Sequence, residues 1–302
     1  SFPRCPLNEG VRRLTELYLA TLLARLERAE VEFRWFWPVG FEAALVLSHD
    51  VESEEGIRLA VELADLEESL GFRSAFNFGA WYDVDPGVLR ELTSRGFEVG
   101  LHGIVHDRSL FSSRREFERQ LPLLRQWAQL YGAVGFRSPS THRRFEWLAE
   151  LPLRYDGTIP HSDPYEPQPG GCCSLWPFFV GDIVELPYTL PQDHTLLTLL
   201  GHRTPALWIE TARLIEDRFG LIHCISHPDA GYLGNAAKRA IYADFLRALA
   251  ERKRVWHALP AEVAGWWRTR DGAAANGRIA LGRAVRDPGT AEAHLVAPTY
   301  AT

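Results

Sequence analysis

Apolar runs alternate along the chain with segments whose apolar positions repeat at helical spacing. A continuous apolar run bounded by turn residues is typical of a strand buried on both faces. Ser53, Asp85 and Ser113 each begin a segment with helix-capping signals, and each segment ends at a glycine. This alternation predicts a parallel sheet, either open or closed into a (β/α) barrel. The predicted strands include 41–48, 72–78, 97–101, 133–136, 184–186 and 221–226.

The two ends of the chain differ from this central pattern. Apolar residues at helical spacing predict an amphipathic N-terminal helix within 7–32. Near the C-terminus, a helix containing Trp266 and Trp267 precedes the segments 278–281 and 293–297, which we interpret as a small β-hairpin. The expected division is an N-terminal helix with its lead-in, a barrel domain, and a C-terminal helix with a β tail. These regions span residues 1–40, 41–262 and 263–302.

Composition narrows the function classes. The 302 residues are 46% hydrophobic and 24% charged, which is ordinary for a protein with a large core. The net charge of −6 gives no basic field for nucleic acid, and no apolar run has the length of a membrane span. The start has no signal-peptide layout, and the four cysteines form no disulfide framework. We therefore expect a cytoplasmic protein, with export left open because the chain does not begin with Met.

Candidate chemistry is concentrated where predicted strands end. His102 and His106 follow one strand at i, i+4 spacing, which places two imidazoles on one face if the chain is helical there. Asp50 and His227 each follow another strand directly, and the carboxyl ends of parallel strands converge on one rim. Asp50, His102 and His106 would form a His₂-carboxylate site for zinc or another divalent metal, such as cobalt, nickel or iron. On its own, a pair of histidines at this spacing is more typical of ordinary surface residues than of a metal site.

Four short segments, in order, give the chain a family resemblance. Together they resemble the motifs of the polysaccharide deacetylase superfamily (NodB-like, carbohydrate esterase family 4), over roughly residues 41–262. The resemblance implies an α/β fold, a distorted (β/α)7-type barrel with fewer than eight strands, here with the N-terminal helix and the small C-terminal β appendage. The segments are LSHD at 47–50, HGIVH at 102–106, RSP at 137–139 and CISHP at 224–228.

The resemblance also implies roles for individual residues. Asp50, His102 and His106 would hold the metal, and His227 would be the general acid that protonates the leaving group. The backbone N–H of Ser140 would donate to the oxyanion. Asp156 could orient His227, although that match is loose.

One motif position departs from the family. The first aspartate of the family, its usual catalytic base, is His49 here, so His49 is either the base or a structural hydrogen-bonding residue. Arg137 would lack its usual carboxylate partner and would pair with Glu52 or Asp156, or bind an anionic substrate group. Gly103 replaces a hydroxyl residue that family members use near the substrate.

These expectations define a metal-dependent hydrolase of carbon–nitrogen amide or ester bonds, foremost a carbohydrate deacetylase. One alternative is a hydrolase of a small linear or cyclic amide, and another is a non-catalytic relative that binds metal or sugar. A wide aromatic groove would favour the carbohydrate. A pocket closed by the Pro- and Gly-rich loop at 157–181 would favour the small amide.

Overall fold

A computed structural model describes most of the chain as an α/β structure around one curled sheet. The described residues are 7–163, 165, 168, 170–272, 279–287, 290 and 292–300. The strands are β1 (Glu30–Arg34), β2 (Ala43–Val51), β3 (Ala75–Phe78), β4 (Glu98–Leu101), β5 (Gly135–Phe136), β6 (Tyr155–Asp156), β7 (Phe178–Val180), β8 (Ile183–Glu185), β9 (Leu221–Ser226), β10 (Val255–His257), β11 (Leu281–Arg286) and β12 (Ala293–Val296).

The helices cover the outside of this sheet and account for most of the predicted helical segments. They are α1 (Gly10–Arg25), α2 (Glu54–Ser69), α3 (Pro86–Ser94), α4 (Arg114–Tyr131), α5 (Phe145–Leu148), α6 (Ala206–Glu216), α7 (Ala236–Ala250) and α8 (Pro260–Gly272). A short π-helical turn, His194–Leu199, was not predicted.

Strand β2 is the centre of the large sheet. All nine of its residues are buried, because it is paired on both sides and covered by helices. Its parallel neighbours are β9 on one edge and, on the other, β10 at its start and β3 at its end. From β3 the sheet continues in parallel through β4, β5, β6 and β8, and β7 adds one antiparallel edge strand. The predicted distorted barrel is therefore confirmed.

The gap between β8 and β9 is bridged by irregular chain. The N–H groups of Thr189 and Leu190 both donate to the carbonyl of His223, at 3.1 and 3.2 Å. Pro160, near the start of the predicted loop at 157–181, lies along the same gap, since it forms a β-bridge with Tyr188. These contacts span the gap in the strongly curled sheet, in which the ends of distant strands face one another.

Capping residues fix where several helices begin and end, as the sequence predicts. The Ser53 hydroxyl accepts the Gly56 N–H at 3.0 Å, and the Ser113 hydroxyl accepts the Glu116 N–H at 3.2 Å. Gly132 ends α4 in the left-handed conformation, with φ of 66°. In none of the described segments is a helix long and apolar enough to cross a membrane.

Strands from the N-terminal and C-terminal regions of the chain form a second sheet. β1 pairs antiparallel with β11, and β11 pairs with β12. The hairpin interpretation is correct for β12, but β11 begins at Leu281, where the predicted segment ended, and residue 278 lies outside the described residues. β1 was not predicted, because a strand of alternating burial is stabilised by pairing with a partner about 250 residues later in the chain.

Candidate metal centre

Successive residues of β2 point to opposite faces of the sheet, and this separates two polar groups. Ser48 and Asp50 face the barrel interior, where Ser48 Oγ lies 2.9 Å from His223 Nε2. His49 faces the helices outside, where its Nε2 lies 2.8 Å from Glu67 Oε1 on α2.

Glu52, His102 and His106 form the one potential metal-binding group found among the described residues. One side-chain ligand atom from each lies within 4.8 Å of the others. Glu52 Oε1 is 2.8 Å from His106 Nε2 and 3.6 Å from His102 Nε2. The carboxylate that the structure groups with the two histidines is therefore that of Glu52, two residues beyond the predicted Asp50.

The two histidines meet without the helix that their spacing suggested. Residues 102–108 have no helical structure, and Gly103 has a φ of 80°. A Cβ at Gly103 would lie 2.8 Å from Pro139 Cδ, so the bend brings the histidine segment against the start of the next loop. The imidazole rings of His102 and His106 nevertheless lie 5.7 Å apart.

His102 is oriented as a ligand would be. Its Nδ1 donates to the backbone carbonyl of Arg137 at 3.0 Å, which directs Nε2 towards Glu52. That Nε2 is buried and has no hydrogen-bond partner. An unpartnered buried imidazole nitrogen, a second imidazole and a carboxylate match the donor set that divalent zinc prefers. The residues present therefore fit a divalent metal.

Asp50 lies beside this group with its own partner. The Asn77 side-chain amide donates to Asp50 Oδ1 at 2.8 Å, from the residue paired with Asp50 across β2 and β3. Burial raises the pKa of Asp50, but the charges of His102, Arg137 and His227 outweigh burial and hold it below its ordinary value. Asp50 is thus an ionised, buried carboxylate that faces the metal-binding group.

His227 also lies at this rim, and Asp193 orients it. His227 Nδ1 is 2.7 Å from Asp193 Oδ1, and the His227 backbone N–H donates to Asp193 Oδ2 at 2.9 Å. Its Nε2 is 3.8 Å from Glu52 Oε1. Burial lowers the pKa of His227, but the adjacent Asp193 together with Glu52 and Asp50 raises it to about 10. His227 therefore carries a proton at neutral pH, with its Nε2 directed towards Glu52.

Asp156, the residue expected to orient His227, lies elsewhere in the barrel. Its Oδ1 accepts the Thr158 hydroxyl at 2.5 Å, and it forms a carboxyl pair with Glu185. Burial raises the pKa of both carboxyls, so the pair retains a proton on Glu185. The structure does not bring Asp156 to His227, because β6 and β9 lie on opposite sides of the barrel gap.

His49 is the second expectation that the structure does not bring to the rim. Its Nδ1 lies 2.8 Å from Ser226 Oγ and its Nε2 2.8 Å from Glu67 Oε1, so both ring nitrogens have partners. The Tyr242 and Ser74 hydroxyls also donate to Glu67, each at 2.5 Å. His49 is fully buried, which fits the structural hydrogen-bonding role, one of the two roles expected for it.

Arg137 is buried at the level of Ser48, below the rim. Its Nη2 donates to Ser48 Oγ at 3.1 Å, and its guanidinium lies 5.6 Å from the centre of the Tyr188 ring. Its Nε and Nη1 have no hydrogen-bond partner among the described residues. None of the expected direct pairings of Arg137 with a carboxylate is present there, but its charge helps to hold the pKa of Asp50 low and opposes the rise in the pKa of Asp156.

Ser140 lies in a strained turn after the third motif segment. Ser140 and Thr141 both have a φ of 52°, which is rare for residues other than glycine and is associated with functional sites. The turn begins at Pro139, which packs on Gly103 of the histidine segment. The role of the Ser140 N–H as an oxyanion donor stays a prediction.

Aromatic rings stand on two sides of the candidate centre. Trp81 lies 5.7 Å from the ring of His102 and 5.2 Å from that of His106. On the other side, Tyr232 lies 4.7 Å from the ring of His227, and its hydroxyl is 3.0 Å from His194 Nδ1. Both rings are half-buried, so part of each remains available to a bound molecule.

Sequence reasoning missed two functional candidates, Glu52 and Asp193. Glu52 had a usable signal, since it lies two residues after Asp50 and a strand directs such pairs to the same side. Asp193 had none, because it precedes an unpredicted π-helical turn in a segment without strand or helix periodicity.

Comparisons with known proteins support the fold. No protein-family model and no curated protein matches the sequence. Among solved structures, a putative polysaccharide deacetylase from Mycobacterium smegmatis has a TM-score of 0.62 at 20% identity, over 78% of this chain and 93% of that one. Puue allantoinase has a TM-score of 0.60 at 16% identity, over 80% and 95%. A probable polysaccharide deacetylase from Pseudomonas aeruginosa PAO1 has a TM-score of 0.58 at 16% identity, over 80% and 95%.

These matches confirm the predicted resemblance at the level of the fold. The chain has the distorted barrel of polysaccharide deacetylases, and the same barrel occurs in an allantoinase. The identities are low, so the likeness does not extend to individual site residues.

Proposed function

We propose that the protein is a metal-dependent hydrolase of amide or ester bonds, acting on carbon–nitrogen bonds other than peptide bonds. The observation that supports this most directly is the convergence of Glu52, His102 and His106, with His102 Nε2 buried and unpartnered. The shared fold with deacetylases and an allantoinase is consistent with that chemistry. Zinc is the metal we propose first, since two imidazoles and a carboxylate suit it.

The residues around that centre would have different roles in the reaction. Glu52, His102 and His106 would hold a divalent ion, which acidifies a water molecule and polarises a carbonyl oxygen. Asp50 accepts a proton from the attacking water, because it is ionised and held by Asn77 beside the group. We therefore propose Asp50 as the base; for His49 the sequence had left a catalytic and a structural role open.

Departure of the leaving group requires a second group, one that donates a proton. His227 is protonated and held by Asp193, and its Nε2 faces Glu52. It donates to the leaving amine or alcohol. The Ser140 N–H is the proposed donor to the oxyanion, supported by the strained turn that fixes its direction.

The foremost substrate class is an acetylated carbohydrate. Half-buried rings of Trp81 and Tyr232 flank the centre, and such rings bind the apolar faces of sugars. A small linear or cyclic amide is the second candidate. It is favoured by one contact of the 157–181 loop: the Thr195 hydroxyl donates to Asp163 Oδ2 at 3.2 Å, beside the segment that contains Asp193.

Metal content and hydrolysis of the purified protein test this proposal. We expect about one divalent ion per wild-type chain by elemental analysis, and acetate or ammonia release from a panel of acetylated sugars, ureides and cyclic amides. Glu52→Gln and His102→Ala should lose the ion. Asp50→Asn should keep it but lose roughly 10²- to 10⁴-fold in rate, as expected for a base. His294→Ala, in an exposed histidine–aspartate pair of the C-terminal sheet, is the matched control.

Two outcomes would contradict parts of this assignment. If Asp50→Asn loses the ion and Glu52→Gln keeps it, Asp50 is the carboxylate ligand. If wild type binds no metal after reconstitution with zinc, cobalt and nickel, the metal-dependent mechanism is wrong, and a non-catalytic sugar-binding relative becomes the better assignment.

A further inference from the structure

The peptide group between Val51 and Glu52 is held at both of its polar ends. The Tyr82 hydroxyl donates to the Val51 carbonyl. On the other end, the Glu52 N–H donates to Asp229 Oδ2 at 3.1 Å. This peptide group leads out of β2 directly to Glu52, so its orientation sets the direction in which the Glu52 side chain leaves the backbone.

Both of the residues that hold this peptide group are themselves fixed. The Tyr82 oxygen accepts the Gly79 N–H at 3.0 Å, and its side chain is buried at 8% exposure. Asp229 is equally buried, and its Oδ1 accepts the Ser53 hydroxyl. The two residues come from different parts of the barrel, one after β3 and one after β9.

Gly56 makes room for Asp229 at the start of α2. A Cβ at Gly56 would lie 2.5 Å from Asp229 Oδ1, so any side chain there would displace the carboxylate. The φ of Gly56 is not in the left-handed range, so glycine is needed here because it has no side chain. The close approach indicates that Asp229 is built against α2 and the Glu52 backbone.

We propose that Asp229 and Tyr82 are positioning residues that orient the Glu52 carboxylate for metal binding, an inference that rests on the proposed function. Glu52 must reach His106 and His102 with one oxygen, and a rotation of its peptide group would move that oxygen out of range of both. Clamping the peptide group on both sides removes this freedom before the ion binds. Asp229 also connects the His227 loop to the metal ligand, so the two halves of the site keep a fixed separation.

A simpler role for Asp229, as a cap of α2, is separable from this one. Ser53 already caps α2 through its own hydroxyl, which accepts the Gly56 N–H. Ser53→Ala would weaken the helix start and remove one partner of Asp229, yet it would leave the bond between Asp229 and the Glu52 N–H. A capping role and a positioning role therefore predict different results for Ser53→Ala and Asp229→Ala.

The test is the dissociation constant of zinc, measured on the full chain by competition with a chromophoric chelator. Asp229→Ala and Tyr82→Phe should each weaken zinc binding by roughly 10- to 100-fold, the usual cost of losing a residue that orients a ligand. Gly56→Ala should do the same without altering either residue. Asp229→Asn should stay within about 3-fold of wild type, because an amide oxygen can still accept the Glu52 N–H.

Controls separate misfolding from mispositioning. Asp85→Ala, which removes a comparable cap from α3, should lower the melting temperature but leave zinc affinity unchanged. Ser53→Ala should weaken zinc binding much less than Asp229→Ala, because Asp229 keeps its bond to the Glu52 N–H. Circular dichroism at the assay temperature establishes that each variant is folded. Unchanged zinc affinity in folded Asp229→Ala and Tyr82→Phe would overturn the inference while wild-type binding upholds the proposed function. Equal losses in Asp229→Asn and Asp229→Ala would overturn it in favour of a pure charge effect. A wild type that binds no zinc would overturn both.

Discussion

His49 and Asp50 are consecutive, polar and buried, yet they belong to two regions with opposite properties. Outside the sheet, both nitrogens of His49 have partners, and its partner Glu67 receives two further hydroxyl donors. Inside the barrel, His102 Nε2 has no partner, and Glu52 and His106 are partly exposed. The outer group is saturated and closed, whereas the inner group has unused ligand capacity next to solvent.

This contrast shows that burial and polarity alone do not mark a reactive residue. A buried network with every atom paired stabilises the contact between strands and helices, because breaking any bond leaves a desolvated group behind. A group that binds a metal or substrate must keep some donors and acceptors free until the ligand arrives. The number of unmet partners therefore separates His49 from His102 better than the residue type does.

The largest effect should come from the inner region. His227→Ala should lower the turnover number by roughly 10²- to 10⁴-fold, because it removes the proton donor to the leaving group. The metal content should remain that of wild type, since His227 is not one of the three ligand residues. Steady-state kinetics on the substrate found in the panel, with elemental analysis of the same preparation, would measure both. A full rate in His227→Ala would remove His227 from the mechanism.

The outer region should respond in stability rather than in rate. His49→Ala should lower the free energy of unfolding by roughly 2–4 kcal/mol, because Glu67 loses a buried partner and a cavity remains. Urea unfolding, followed by circular dichroism, measures this change. Ser226→Ala, which removes only the Nδ1 partner of His49, should cost about 1 kcal/mol.

The same variants could instead show that the two regions do not differ in this way. If His49→Ala abolishes the rate of a protein that remains folded and metal-loaded, His49 acts in catalysis, as its motif position suggested. We expect the folded fraction of His49→Ala to retain its zinc affinity, because its side chain faces away from Glu52 and His102.

The last prediction concerns the pH dependence of stability at the opposite end of β4 from His102. Burial raises the pKa of Glu98 to about 7 from its ordinary value of 4.5, although the Ala261 N–H and the Tyr155 hydroxyl oppose the shift. The folded state therefore keeps a proton that the unfolded state releases, and this stabilisation is fully present below about pH 4.5 and lost by about pH 7. The loss amounts to roughly 3 kcal/mol.

Glu98→Gln tests this assignment, since glutamine cannot ionise. Unfolding free energies between pH 4.5 and 7 should fall with pH in wild type and should flatten in the variant. The zinc affinity of Glu98→Gln should equal that of wild type, which would separate the stabilising end of the strand from its functional end. An unchanged slope would show that another group determines the pH dependence.

Much of the architecture was predictable because its causes are local. The apolar run that ends in Asp50 specifies a strand buried on both faces, and Ser53, Ser113 and Gly132 specify helix ends through their own side chains or backbone. The rim position of His102, His106 and His227 followed from the rule that the ends of parallel strands converge.

The errors of the sequence-based predictions occur where a contact with a distant part of the chain determines the structure. β1 depends on β11, and Asp193 reaches His227 through a π-helical turn that has no sequence signal. Asp156 and His227 are both strand-end residues, but the barrel gap lies between their strands. The order of the strands in the sheet cannot be predicted from local periodicity.

By itself, the sequence determined the alternation of strands and helices, the helix boundaries and the set of polar residues at strand ends. Only the tertiary structure decided that Glu52 joins the two histidines, that Asp193 holds His227, and that His49 faces the helices. The physical reason is that hydrophobic periodicity and capping act within a few residues. The pairing of a polar atom depends instead on which side chains the fold brings within about 3 Å of it.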